Sequence, residues 1–232
     1  MADIIPLRFG VSQAYLICDQ NNILLDTGSD TDKAAYQKAF EKAKVNPRDI
    51  SLVVISHGHS DHFAGLGAIK ELTGAPVLCH RLAAQALATG KNPKFVPRNK
   101  LGEDMLKLIE GTVPVMDKTV DADILVDKEF DLNAFGVAGK VLHTPGHSHC
   151  SLSLLLDGGY VFVGDMVVPS PFDGKLGLAF LATNESELYD SLRTLLSFNQ
   201  IFYGGHGGPY TRDEVQRLLE LDLTKGNLGE EE

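Results

Sequence analysis

The sequence predicts an α/β protein. Two observations carry this: short runs rich in Val, Ile and Leu alternate with stretches of helical period in both halves of the chain, and those runs are bounded by Gly, Pro, Asn or Asp. A third bounds the organisation. The 232 residues contain no low-complexity tract and no internal repeat, so a single domain over residues 1–232 is expected.

Taken in order, strands are predicted over residues 14–18, 23–26 and 52–55, with a helix over 32–44 before the third. A helix over 65–72, a strand over 76–79 and helices over 81–89 and 103–110 follow. Strands over 136–142, 152–156 and 160–163 come next, and Asp157-Gly158-Gly159 reads as the tight turn of a hairpin joining the last two. Over 185–197, Leu188, Leu192, Leu195 and Leu196 fall on one face of a helix, and Asn184 is placed to cap it. Thr211 and Glu214 form a capping box ahead of a helix over 212–221. Residues 91–118 carry three prolines and break the strand–helix rhythm; they read as an insertion or lid over a site. The polar end, GNLGEEE, is expected to fray.

Composition narrows the function classes. Hydrophobic residues make up 44% and charged ones 22%, an ordinary balance for a globular domain. The formal charge of −10 repels nucleic acid and anionic membranes, so neither is expected as a partner. No apolar run approaches the roughly 18 residues of a spanning helix, and MADIIPLRFG does not read as a signal peptide. Cys18, Cys79 and Cys150 are odd in number and scattered near apolar runs. They read as reduced core thiols of a cytoplasmic protein.

The informative segment is Ser56-His57-Gly58-His59-Ser60-Asp61-His62, between the apolar run LVVI and a helix. Imidazole and carboxylate suit zinc and related divalent ions, and Gly58 and Ser60 let the backbone fold closely around them. His57 and His59, two apart, can point at one ion; Asp61 and His62, as the chain turns into a helix, can point at a second. Further donors must come from elsewhere. His147 in Thr-Pro-Gly-His, Asp165 after YVFVG and His206 in Tyr-Gly-Gly-His-Gly-Gly all sit at strand ends in glycine-rich surroundings.

These motifs resemble those of the metallo-β-lactamase superfamily. HGHSDH resembles its H-x-H-x-D-H signature, while Asp26-Thr27-Gly28, TPGH, VGD and GGHG resemble its other motifs in the same order, over nearly the whole chain. The resemblance implies a four-layer αβ/βα sandwich with the metals at one edge between two sheets. It implies His57, His59 and His147 on one metal, Asp61, His62 and His206 on the other, and Asp165 bridging. It gives Asp26 a supporting role for the ligand loop. Two divalent ions are expected as cofactors, zinc first, with iron or manganese as the other candidates.

The chemistry so implied is hydrolysis of a small ester, thioester or lactone by a metal-bridging hydroxide, with Asp61 orienting the nucleophile and moving its proton. Thioester hydrolases resembling glyoxalase II share the ligand set, although the chain ends soon after His206, where those carry a further helical domain. Two alternatives stand beside this reading: an iron oxygenase resembling persulfide dioxygenases, and a metal-containing binding protein with little turnover. Of the remaining residues, His149 reads as structural or pocket-lining, His80 and His143 as structural, and Cys150 as a buried thiol. Lys91, Lys94, Arg98 and Lys100 form a run of cations that reads as a solvated loop or as a lid recruiting an anionic substrate. Tyr203, Tyr210 and Phe172 are candidate substrate contacts.

Overall fold

Apolar runs in which every residue is buried require a sheet covered on both faces, and the runs AYLI, ILL and LVV meet that condition. The computed structural model describes residues 2–109, 111, 115–116 and 118–227. The first sheet has six strands in sequence order: β1 Asp3–Phe9, β2 Ser12–Cys18, β3 Asn22–Leu25, β4 Ile50–Val54, β5 Val77–His80 and β6 Ile124–Val126. Pairs β1–β2 and β2–β3 are antiparallel and the rest parallel. The second half supplies β7 Glu129–Asp131, β8 Gly139–His143, β9 Leu152–Leu156, β10 Tyr160–Phe162, the separate ribbon β11 Val167–Pro169 with β12 Leu176–Leu178, then β13 Ile201–Gly204 and β14 Gly207–Thr211. Its six-stranded sheet runs β14-β13-β10-β9-β8-β7.

Alternation along the strands sorts side chains into three apolar layers. Tyr15, Ile17, Ile23, Leu52 and Val54 of the first sheet meet Val141, Leu152, Leu154 and Phe162 of the second, forming the core between the sheets. Their neighbours Leu16, Leu24 and Val53 point the other way, against Tyr36 and Phe40 of α1 (Lys33–Ala43) and Leu66 and Ile69 of α3 (Leu66–Thr73); the short α2, Ser60–Phe63, lies between those helices in sequence. Helices α4 (Ala84–Thr89) and α5 (Lys100–Ile109) follow β5. On the outer face of the second sheet, Val161 and Phe202 pack against Leu188, Leu192, Leu195 and Leu196 of α6 (Glu185–Leu196) and Val215 and Leu219 of α7 (Arg212–Asn227). Helix, sheet, sheet, helix is the four-layer αβ/βα sandwich expected.

Predicted elements recur with shifted ends, and both caps form: Asn184 Oδ1 accepts from Glu187 N–H, and Glu214 reaches back to Thr211 N–H. The strand predicted from residue 136 starts at Gly139, because residues 133–135 form a 3₁₀ turn closed by Gly136. The helix placed over 103–110 begins at Lys100, and Glu110 lies outside the described residues. The last helix continues to Asn227; of the tail expected to fray, residues 228–232 lie outside the described residues.

Candidate metal centre

The donors come from four segments. His57 follows β4 by three residues, His59 is the N-cap of α2, and Asp61 and His62 lie within that single turn. His147 sits in the β8–β9 loop, Asp165 in a 3₁₀ turn after β10, and His206 in the β13–β14 turn. Two glycines make the convergence possible. A Cβ on Gly205 would collide with Asp165 Oδ1 and the His62 ring, and one on Gly146 (φ +141°) would collide with the Leu188 backbone of α6.

All seven predicted residues meet, in two groups. His57, His59 and His147 form a buried set of three, and Asp61, His62, Asp165 and His206 a set of four; within each, the ligand atoms lie within 4.8 Å of one another and could hold a metal ion. Asp165 faces both. Its Oδ1 is 3.2 Å from His62 Nε2, and its Oδ2 is 3.1 Å from His206 Nε2, 3.9 Å from His147 Nε2 and 4.0 Å from His57 Nε2. Asp61 Oδ2 stands 3.3 Å from His206 Nε2 and 3.5 Å from His62 Nε2.

The outer nitrogens decide what the inner ones can do. His62 Nδ1 is 2.8 Å from Asp26 Oδ2, His206 Nδ1 is 3.0 Å from the Val11 carbonyl, His147 Nδ1 is 2.9 Å from the Leu181 carbonyl, and His57 Nδ1 is 3.0 Å from Ser56 Oγ. Carbonyls and carboxylates only accept, and Ser56 Oγ already donates to Asp26 Oδ2 at 2.7 Å. Each of these four Nδ1 atoms therefore carries the proton, and in the neutral ring each Nε2 turns a lone pair inward. His147 Nε2 lies 2.9 Å from His59 Nδ1. His57 Nε2, His62 Nε2 and Asp165 Oδ1 are buried without a hydrogen-bond partner among the described residues; the last two face each other without the alignment of a hydrogen bond. Buried lone pairs converging without donors are costly and are what a divalent cation requires. The residues present fit such ions.

Electrostatics separates the two groups. Burial, reinforced by the neighbouring imidazoles, pushes His57 well below its ordinary range, and burial with His147 beside it takes His59 down to about 3. In the second group burial again opposes charge, but Asp165 and Asp61 outweigh it, raising His62 well above its ordinary value and His206 to about 10. Burial alone would raise Asp61, yet His62 and His206 hold it down at about 2.

Asp26 has the supporting position expected of it. Its backbone takes φ +57°, and one carboxylate accepts from Ser56 N–H (2.7 Å), Ser56 Oγ (2.7 Å) and His62 Nδ1, tying both ends of the ligand segment. Sequence reasoning missed several other supports. Asn92 grips Ser60 twice, accepting from its N–H at 2.6 Å and donating to its Oγ at 3.1 Å, and the Phe95 ring lies 4.6 Å from that of His59. Cys150 Sγ accepts from Gly58 N–H at 3.3 Å, so this thiol backs the ligand loop. A single Asn or Phe in an irregular segment carries no signal of such a role, and backbone carbonyls carry none.

Above the donors opens a cleft of about 650 Å³. Residues of the 91–118 segment form one wall and the β11–β12 ribbon another. Other expectations are corrected. Arg98 is not free to recruit a substrate: its guanidinium is bonded to Glu185, Asp222 and Tyr189, while Lys100 pairs with Asp104. Tyr203 packs in the inter-sheet core, Tyr210 against the α6–α7 layer, and Phe172 is exposed; none lines the cleft. His149 belongs to neither donor group, and His80 and His143 stack on each other at 4.0 Å.

A sequence model of the metallo-beta-lactamase superfamily matches residues 7–206. The chain is 26% identical over 214 residues to "Probable metallo-hydrolase YqgX" of Bacillus subtilis, covering 90% of this chain and 88% of that protein. It is 24% identical to "Probable metallo-hydrolase MJ0888" of Methanocaldococcus jannaschii, covering 84% and 87%. A B3 metallo-beta-lactamase, BLEG-1, shares the fold with a TM-score of 0.71 at 19% identity over 93% of this chain and 97% of its own; TTHA1623, solved in a di-iron-bound form, does so at 0.65 and 22% over 92% and 98%. The chain belongs to the metallo-β-lactamase superfamily and is a metal-dependent hydrolase of that class. One relative, "Exodeoxyribonuclease YycJ" of Bacillus anthracis, is 26% identical over 63% of this chain and 50% of its own, so the superfamily likeness does not by itself set nucleic acid aside. Among the described residues no helix is long and apolar enough to cross a membrane.

Proposed function

We propose that this protein is a dinuclear, zinc-dependent hydrolase of small esters, thioesters or lactones. His57, His59 and His147 hold one ion, Asp61, His62 and His206 the other, and Asp165 bridges them. One observation carries the reading: Asp165 places a carboxylate between two donor sets, with His57 Nε2 and His62 Nε2 buried beside it and without hydrogen-bond partners among the described residues. Ions held there supply Lewis-acid polarisation of a carbonyl and a water of lowered pKa.

The chain's own residues do the rest. Asp26, Ser56 and the Val11 and Leu181 carbonyls fix the rings. Asp61, whose side chain is 22% exposed against 10% for Asp165, is the carboxylate of the set more open to the cleft. As a carboxylate it acts as an acceptor that orients the attacking water and receives its proton transiently. The cleft walls beside these groups are mostly apolar, which strengthens each of these interactions.

The charge of −10 and a cleft of this size support a small-molecule substrate, and the free, mostly buried thiols suit a cytoplasmic setting. The described residues of the 91–118 segment act as the wall, or lid, of a single domain. Iron in the same seats is the second reading, favoured by the di-iron neighbour and by a donor set that suits both metals. The test is hydrolysis of an ester, thioester and lactone panel by chelator-stripped protein reloaded with zinc or iron, with single-stranded DNA and RNA alongside. Zinc-restored acyl hydrolysis is expected. Cleavage of nucleic acid alone, or oxygen uptake with persulfide in the iron form alone, would sink the reading.

A further inference from the structure

One helix face lines the cleft partly exposed, and one arginine lines it with no carboxylate partner among the described residues. Met105 and Leu108, three apart on α5, both line it, and Leu108 is 59% exposed. Val168, Pro169 and Pro171 of the β11–β12 hairpin and Phe180 line the same space. Apart from Ser170 the side walls are apolar, and the charged and imidazole groups are the metal donors and Arg8. Arg8 is the only Arg or Lys lining the cleft among the described residues, and its guanidinium pairs with no carboxylate there.

The two features lie at opposite ends of the donor set. The 91–118 segment is fastened at the His59 end, through Asn92 on Ser60 and Phe95 on the His59 ring. Arg8 stands with Val11 in the first hairpin, whose Val11 carbonyl accepts from His206. A molecule lying across both donor groups would have the apolar α5 face at one end and a cation at the other.

We propose that the substrate is an amphipathic acyl compound: an apolar acyl chain laid along the α5 face, joined through the scissile carbonyl to an anionic leaving group read by Arg8. This rests on the hydrolase reading above and narrows its substrate class. The carbonyl lies over the donors, the acyl–sulfur or acyl–oxygen bond breaks, and water supplies the hydroxyl to the acid and the proton to the leaving thiol or alcohol. A chain of net charge −10 that keeps, among the described residues, one guanidinium without a carboxylate partner in the donors' cleft thereby favours an anion at that end.

The experiment uses the zinc-loaded full chain and thioesters with acetyl, butyryl, octanoyl and decanoyl groups on two thiols, anionic 3-mercaptopropionate and neutral N-acetylcysteamine. We expect kcat/KM to rise with chain length, by up to about fourfold per methylene, and to favour the anionic series. Leu108→Asp should flatten the length dependence, and Arg8→Ala should cut the anionic-over-neutral ratio by roughly two- to fivefold, the worth of an exposed ion pair. Hydrolysis without either dependence overturns the inference and leaves the hydrolase reading intact. If no thioester is cleaved, titration with the thioethers S-decyl- and S-ethyl-3-mercaptopropionate decides by binding alone. Preference for the decyl compound, lost in Leu108→Asp and weakened in Arg8→Ala, supports the inference; equal affinity overturns it.

Discussion

Asp26 Oδ2 lies 2.8 Å from His62 Nδ1, and the same carboxylate accepts both the backbone N–H and the hydroxyl of Ser56. One residue outside the donor set thus fixes a ring in the second group and, through Ser56 Oγ, the His57 ring of the first. Asp26→Asn keeps a residue tolerant of φ +57° but removes the charge that fixes the His62 tautomer. Metal affinity should fall about 10- to 100-fold, and the thermal midpoint of the metal-free protein should fall as well, because the amide NH₂ turns towards a buried donor where an oxygen accepted. Asp26→Ala should lose the same affinity and lower that midpoint further, because the backbone strain is no longer tolerated. Competition with a chelator of known affinity, plus melting curves, separates the two effects; unchanged affinity in both variants would remove Asp26 from the site.

Stability of the metal-free protein should pass through a maximum near neutral pH. His57, His59 and His147 have lowered values, so folding favours their neutral forms, and stability increases as pH rises towards the unfolded value of about 6.5. His62 and His206 have raised values. Their contribution is complete below about 6.5 and is lost as pH rises through the folded value, about 10 for His206. Melting curves of chelator-treated protein across that range should show the alkaline fall. Zinc-loaded protein should lack it, because the cation replaces those protons. A flat alkaline limb without metal would contradict the assignment of charge to the second group.

Arg98 belongs to the fold rather than to a substrate. Its side chain is 8% exposed and joins the 91–118 segment to α6 through Glu185, to α7 through Asp222, and to the Ala179 carbonyl after β12. Arg98→Ala should cost roughly 1.5–3 kcal/mol by urea titration, while Lys91→Ala and Lys94→Ala, both in exposed loop positions, should stay within about 0.5 kcal/mol of the parent. A destabilised Lys variant alongside a neutral Arg98→Ala would reverse the roles.

Legibility followed physical cause. The donor residues could be read because three imidazoles and a carboxylate in one short segment have few structural uses, and because glycines mark where backbone must approach closely, as Gly205 does at Asp165. Strands buried on both faces announced themselves as unbroken apolar runs. The edge strands did not. β1 contains Pro6 and β14 contains Pro209, which an edge tolerates and a pattern search rejects. β6 and β7 are three residues each, too short for a period to show. The supports of Asn92, Phe95 and the Leu181 carbonyl depend on a loop path that no local signal specifies, and the run of cations misled because Arg98 finds its acids far away in sequence, at residues 185 and 222.

The central claim is that two ions share Asp165. Metal content per chain, by elemental mass spectrometry on protein purified without added metal, tests it most directly when the parent and Asp165→Ala are compared. The parent should carry about two ions per chain, and the variant should lose metal and more activity than the about 10- to 100-fold expected from loss of an outer supporting contact, with its circular dichroism spectrum unchanged. A parent holding no more than one ion, or a variant fully metallated and active, would contradict the account.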